Sequence, residues 1–275
     1  MWTLSGFADE IDPDLATQCA VLNDLRITHV EFRSAWDTNV LDLTDEQLDE
    51  AATILARHGL SVSSIGSPLG KINIEDDFDA HLVRAERALV VARRLGAPFI
   101  RVFSFFLRPD QPPARHRDEV LRRMSALAAL AEPTGIVLLH ENEKDIYGDT
   151  PDRCLDIIES VDSPALRVAW DPANFVQVGV RPFTEGYPVL RPHLEYMQIK
   201  DAHAADGTVT VAGDGDGQLV ETIRALREDG FDGFFSLEPH LADVHALGGF
   251  SGPELFTKAH AAFTGLLQNE GIEYA

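Results

Sequence analysis

Four side chains in the second half of the chain could gather around a single charge. Glu141, Asp171, Gln198 and Glu238 each lie in or just after a short apolar run: Ile136–Leu139, Arg167–Trp170, Tyr196–Ile199 and Phe234–Leu237. Such runs read as strands. Neighbouring strands lie about 4.8 Å apart, so residues at matching ends of successive strands can converge on one point. Three of the four are carboxylates, which repel one another when crowded into a cleft. One divalent cation would relieve that repulsion. An all-oxygen ligand set suits Mn²⁺ or Mg²⁺, with Zn²⁺ and Co²⁺ left open.

The other predicted strands carry polar groups at the same end. Strand one runs into Asp9-Glu10. Strand two holds Glu31 and Arg33, and strand three is followed by Ser67 and Lys71. Strand four brings Arg101 and Ser104, strand seven continues into Lys200-Asp201-Ala202-His203, and strand eight into Glu238-Pro239-His240. The opposite ends show turn glycines instead: Gly59, Gly96, Gly135 and Gly230. This asymmetry predicts one polar mouth and one plain bottom. Lysine is scarce, limited to Lys71, Lys144, Lys200 and Lys258, and three of these fall at or near the mouth.

These groups need a scaffold that ends eight strands on one side. The strand candidates are Thr3–Phe7, His29–Phe32, Ser61–Ile65, Phe99–Phe103 and the four named above. Amphipathic helices read between them. Thr44-Asp45-Glu46-Gln47 is a capping box ahead of Leu48, Ala51 and Leu55, and the helix stops at His58-Gly59. Asp77 to Leu95 ends at Gly96, and Thr150-Pro151 supplies an N-cap and a first-turn proline. Runs apolar on consecutive residues, such as Ile136-Val137-Leu138-Leu139, suit parallel strands covered on both faces. Eight strand–helix units predict an α/β fold, a single (β/α)8 barrel spanning residues 1–275. A doubly wound open sheet needs a glycine-rich loop after strand one, and Gly6-Phe7-Ala8-Asp9-Glu10-Ile11 is not one.

Charge and composition narrow the partners. Of the 275 residues, 45% are hydrophobic and 25% charged, and the formal net charge is −22. A phosphate backbone or an anionic bilayer would be repelled, so nucleic acid and membrane are expected not to be partners. Two cysteines, Cys19 and Cys154, in amphipathic segments suggest unpaired thiols and a cytoplasmic setting. The chain's start has no signal-like pattern, and no apolar run reaches 18 residues, so no membrane span is expected.

At these residues the sequence resembles the xylose isomerase-like superfamily of (β/α)8 barrels, the sugar phosphate isomerases and epimerases. The telling pieces are Glu141-Asn142, Trp170-Asp171, Gln198-Ile199-Lys200-Asp201, the Gly213-Asp214-Gly215-Asp216-Gly217 loop and Gly233-Phe234-Phe235-Ser236-Leu237-Glu238. They are spread in order over nearly the whole chain. The resemblance implies that Glu141, Asp171, Gln198 and Glu238 hold the metal. Many members have His at the third position; Gln198 is similar to the hydroxypyruvate isomerase variant.

The resemblance also implies a reaction. A metal chelating a carbonyl and the adjacent hydroxyl oxygen acidifies the C–H between them. Glu141 and Glu238 would remove and return that proton through an enediolate. Lys200 and His203 are the further catalytic candidates. Glu31, Arg33, Ser67, Lys71, Arg101 and Ser104 are the substrate-binding candidates, with the cations facing an enediolate, phosphate or carboxylate. The expected activity is a metal-dependent isomerase or epimerase of a small sugar, keto-sugar or sugar phosphate. An inosose-type dehydratase and a non-catalytic sugar-binding barrel are the alternatives. Endonuclease IV-like cleavage is disfavoured by the charge and because Glu31 and Arg33 on strand two and Ser67 and Lys71 at strand three stand where extra histidine ligands would be wanted. Many members of the group form oligomers, so a homo-oligomer is a further expectation. The Gly213–Gly217 loop reads as a flexible turn over the mouth, since Ala225 stands where a calcium loop needs glutamate.

Overall fold

The computed structural model describes residues 1–242, 244–245 and 248–275, with only backbone given for 244–245. Eight parallel strands form one sheet: β1 (Thr3–Gly6), β2 (His29–Phe32), β3 (Ser61–Leu69), β4 (Phe99–Val102), β5 (Val137–Glu141), β6 (Leu166–Trp170), β7 (Leu194–Ile199) and β8 (Phe234–Leu237). Hydrogen-bonded neighbours run β1-β8-β7-β6-β5-β4-β3-β2. The two end strands, β1 and β2, pack against each other. The result is a nearly closed barrel, as the strand–helix alternation predicts.

Helices wrap the outside. They include α1 (Leu15–Asp24), α2 (Asp45–Arg57), α3 (Phe78–Leu95), α4 (Arg117–Ala131) and α5 (Pro151–Val161). Thr44 caps α2 by the predicted box, its hydroxyl accepting from the Gln47 amide and the Gln47 side chain accepting from the Thr44 amide. Gly96 ends α3 in the left-handed region at φ 70°, where glycine carries no Cβ penalty. Among the described residues no helix is long and apolar enough to cross a membrane.

Two strands differ from expectation in a way that matters. β3 runs on to Leu69, with its register to β4 interrupted between Ile65 and Leu69. β5 begins one residue late and ends on Glu141 itself. Glu141 is therefore held by ladder pairing, opposite Ala169 of β6.

Inside the barrel the fill changes with height. Leu139, Ala169 and Tyr196 form a plug with Phe99, Val137 and Phe234. Next come hydroxyls: Ser63 Oγ lies 2.7 Å from Ser5 Oγ and 2.9 Å from the Tyr196 hydroxyl. Above them sit Glu31 and Gln198, then Arg101, Glu141, Asp171, Lys200 and Glu238, all buried. The plain bottom and polar mouth are thus the two ends of one interior.

Candidate active site

The local sequence explains how Asp171 and Glu141 are aimed. Asp171 follows β6 and caps the short helix α6 (Pro172–Gln177), accepting from the Asn174 amide at 2.9 Å. That engages Oδ1 and leaves Oδ2 for the interior. Asn142 clamps the same residue: its Oδ1 accepts from the Asp171 amide at 2.9 Å, and its Nδ2 donates to the Asp171 carbonyl at 2.8 Å. Asn174 Nδ2 donates to Glu141 Oε1 at 3.3 Å and to the Asn142 carbonyl at 2.9 Å. Glu141-Asn142 and Asp171-x-x-Asn174 therefore form a single interlocked unit across β5 and β6.

Cations hold the acids in place. Lys200 Nζ lies 2.8 Å from Asp171 Oδ2 and 3.1 Å from Glu238 Oε2. Arg101 Nη1 bridges the two glutamates, 3.2 Å from Glu141 Oε2 and 3.4 Å from Glu238 Oε1. Arg33 donates to Asp9 at 2.8 Å, to Glu238 at 3.2 Å and to the Gly249 carbonyl at 3.3 Å. The electrostatics follow. Burial pushes the Glu141 carboxyl up to about 8 despite Arg101. Burial also raises Asp171, with Lys200 opposing. For Glu238 burial is outweighed by Lys200, His240 and Arg101, which hold it well below the usual carboxylate range.

This donor set fits a divalent ion. Oxygen atoms of Glu141, Asp171 and Glu238 lie within 4.8 Å of one another. Gln198 Oε1 is buried with no hydrogen-bond partner, and Asp171 Oδ2 and Glu141 Oε2 have only ion-pair contacts. Five buried carboxyl groups (Glu10, Glu31, Glu141, Asp171, Glu238) meet three buried cations (Arg33, Arg101, Lys200), so the centre is short of positive charge. Hard oxygen donors in such surroundings suit a hard cation. Gln198 is the level partner of Asp171, one step beyond the Trp170–Met197 pair. Glu141, Asp171 and Glu238 could hold such an ion, with Gln198 on the neighbouring strand.

A cleft of about 440 Å³ opens on this centre, lined by Arg33, Lys71, Arg84, Arg101, Glu141, Glu143, Glu238 and His240 among others. Lys71 reaches Glu143 at 3.3 Å and lies over the Phe103 ring at 4.2 Å. Four sequence candidates fall elsewhere. Ser67 does not line the cleft: its hydroxyl donates to the Arg101 carbonyl at 2.5 Å, tying β3 to β4. The Ser104 hydroxyl accepts from the Gly148 amide at 2.7 Å and joins two loops. His203 is exposed on the Asp201–Thr210 hairpin, with a backbone bond to Thr208 and no side-chain partner in the centre. Glu31 lies beneath the cleft, where its carboxylate accepts from Gln198 Nε2.

The Gly213–Gly217 loop is not a loose turn. The Gly213, Gly215 and Gly217 amides donate to the Asp201 carboxylate at 3.0, 3.1 and 2.8 Å. A Cβ at Gly215 or Gly217 would meet that carboxylate, so glycine permits the approach.

One group escaped the sequence reading. Glu10, fully buried, accepts from the His240 amide and the Ser251 hydroxyl at 2.9 Å each. His240 Nε2 lies 3.3 Å from Glu10 Oε1 and 3.4 Å from Glu238 Oε1. His240, and not His203, is among the residues lining the cleft. The position of Glu10 after β1 and of His240 after β8 was visible, but their meeting depends on barrel closure.

Known proteins share this architecture. The family model for the xylose isomerase-like TIM barrel matches residues 19–263. A 2-epi-5-epi-valiolone 7-phosphate 2-epimerase from Actinoplanes sp. is 33% identical over 140 residues, 50% of this chain and 48% of that protein. A 3-dehydroshikimate dehydratase from Bacillus anthracis is 22% identical over 135 residues, 49% of this chain and 48% of that one. The match spans about half the length of these curated relatives. The crystal structure of a xylose isomerase-like TIM barrel protein from Mycobacterium smegmatis in complex with magnesium has a TM-score of 0.73 at 22% identity, over 98% of this chain and 96% of that one. With the family model matched over most of its length, the chain belongs to the xylose isomerase-like TIM barrel family.

Proposed function

We propose that the protein is a divalent-metal-dependent isomerase or epimerase of a small sugar, keto-sugar or sugar phosphate, with Glu141 and Glu238 as its proton-transferring pair. The observation that carries this reading is the convergence of Glu141, Asp171 and Glu238 within 4.8 Å, with Glu141 and Glu238 lining a polar cleft. The epimerase relative points to the same reaction class.

When bound, a Mn²⁺ or Mg²⁺ ion would polarise the substrate carbonyl and lower the pKa of the adjacent C–H. The chain supplies the rest. Glu141 and Glu238 take and return the proton, which requires each to reach the carbon within about 3 Å. Arg101, 3.2–3.4 Å from both, fixes their spacing and faces developing negative charge. Asn174 holds both carboxylates, its side chain donating to Glu141 and its backbone amide to Asp171 Oδ1, while Asn142 pins the Asp171 backbone. Lys71, half-exposed beside Glu143, is the cation best placed to meet a phosphate or carboxylate at the rim.

The same proton abstraction followed by loss of a neighbouring hydroxyl would give dehydration, the reaction named for the Bacillus anthracis relative. Incubation with ketoses and keto-acids in deuterated water separates the readings. The isomerase reading predicts deuterium in a product of unchanged formula, dependent on added Mn²⁺ and abolished in E238Q. A product lighter by one water assigns the dehydratase. Undiminished exchange in E238Q contradicts the glutamate pair.

A further inference from the structure

We infer that Glu31 is a positioning residue that fixes the orientation of the Gln198 amide, so that its oxygen rather than its nitrogen faces the acidic centre. The inference rests on the metal reading above. An amide has two near-identical ends, and only the oxygen end can ligate a cation. A glutamine at this position needs something to choose its face.

The structure supplies that element. Gln198 Nε2 donates to both oxygens of Glu31, at 3.2 Å to Oε1 and 3.0 Å to Oε2. The contact crosses the barrel from β7 to β2, and both side chains are fully buried. Turning the amide over would set its oxygen against two buried carboxylate oxygens and remove the donor that Gln198 supplies to Glu31. That is the costly arrangement for buried polar groups. With the nitrogen committed, Gln198 Oε1 is buried and without a partner, on the strand adjacent to Asp171 and at its level.

This also explains a carboxylate with no evident substrate to bind. Glu31 does not line the cleft. A buried acid is expensive, and both oxygens of this one accept from the Gln198 amide. Outer-shell partners of this kind typically change metal affinity 10–100-fold.

The test is a double-mutant cycle read by Mn²⁺ titration calorimetry on the full chain: wild type, E31Q, Q198A and E31Q/Q198A, each checked for a cooperative thermal melt. Glu31→Gln keeps the shape but offers Gln198 Oε1 a donor, freeing the amide to invert. We expect E31Q to weaken Mn²⁺ binding at least tenfold, and the same change to cost less than twofold once Gln198 is alanine. Equal losses in both backgrounds would show that Glu31 acts through its charge alone and would overturn the inference while leaving the metal site intact. No Mn²⁺ binding by wild type would overturn the metal reading and this inference together. Should E31Q fail to melt cooperatively, E31D, which keeps an acceptor at shorter reach, takes its place in the cycle with the same criteria.

Discussion

Lys200 Nζ lies 2.8 Å from Asp171 Oδ2, so an ammonium group stands among the carboxylates that the account assigns to a metal. Its second contact, Glu238 Oε2 at 3.1 Å, makes it a bridge between two of the proposed ligands. Breaking such a buried pair from one side costs about 3–5 kcal/mol. K200M is therefore expected to lower the Tm of chelator-treated protein by roughly 6–15 °C. Saturating Mn²⁺ should recover more of that loss in K200M than it adds to wild type, since the ion takes over the neutralising role. Differential scanning calorimetry checks this, and equal Mn²⁺ shifts in both proteins would argue against a shared position.

The acids and the barrel were legible because each depends on short-range pattern. Strand runs, the Thr44 box and the glycine stops are local, and they suffice to put Glu141, Asp171, Gln198 and Glu238 at one end of successive strands. The hydroxyls were not legible. Ser67 and Ser104 sit at the correct end of their strands, yet a short side chain there satisfies the nearest backbone group before it can reach a cleft. The sequence favours His203 over His240, but the Asp201–Thr210 hairpin turns His203 outward while Glu10, far away in sequence, draws His240 inward. Glu31 was visible as a mouth residue, but its partner lies across the barrel.

Asp201 carries the loop beside the site. Its carboxylate accepts from the amides of Ala202, Gly213, Gly215 and Gly217, so removing it orphans several donors at about 1 kcal/mol or more each. D201A should lose roughly 2–4 kcal/mol in urea unfolding and become open to limited proteolysis within residues 203–217. A loop still protected in D201A would show that the glycine cradle is not what holds it.

His81 gives the fold an acid sensitivity that is independent of the site. Its Nε2 accepts from the Gly70 amide at 2.9 Å, and burial, with Arg84 and Arg123 adding, lowers it to about 4 from 6.5. The depressed value means stability is fully present above pH 6.5 and is lost as pH falls towards 4, because the unfolded chain takes a proton that the folded one refuses. The loss amounts to about 3 kcal/mol across that window. H81Q, which can still accept from Gly70, should flatten the difference between unfolding free energies measured at the two ends of the window. An unchanged slope would assign the acid sensitivity elsewhere.

If Glu141, Asp171, Gln198 and Glu238 hold one dication, metal stoichiometry must show it. Wild-type protein stripped with chelator, reloaded with Mn²⁺ and analysed by elemental mass spectrometry should retain one ion per chain, while E141A, D171A and E238A should each retain little or none at the same free Mn²⁺. Wild type retaining no ion, or the three variants retaining it undiminished, would contradict the account.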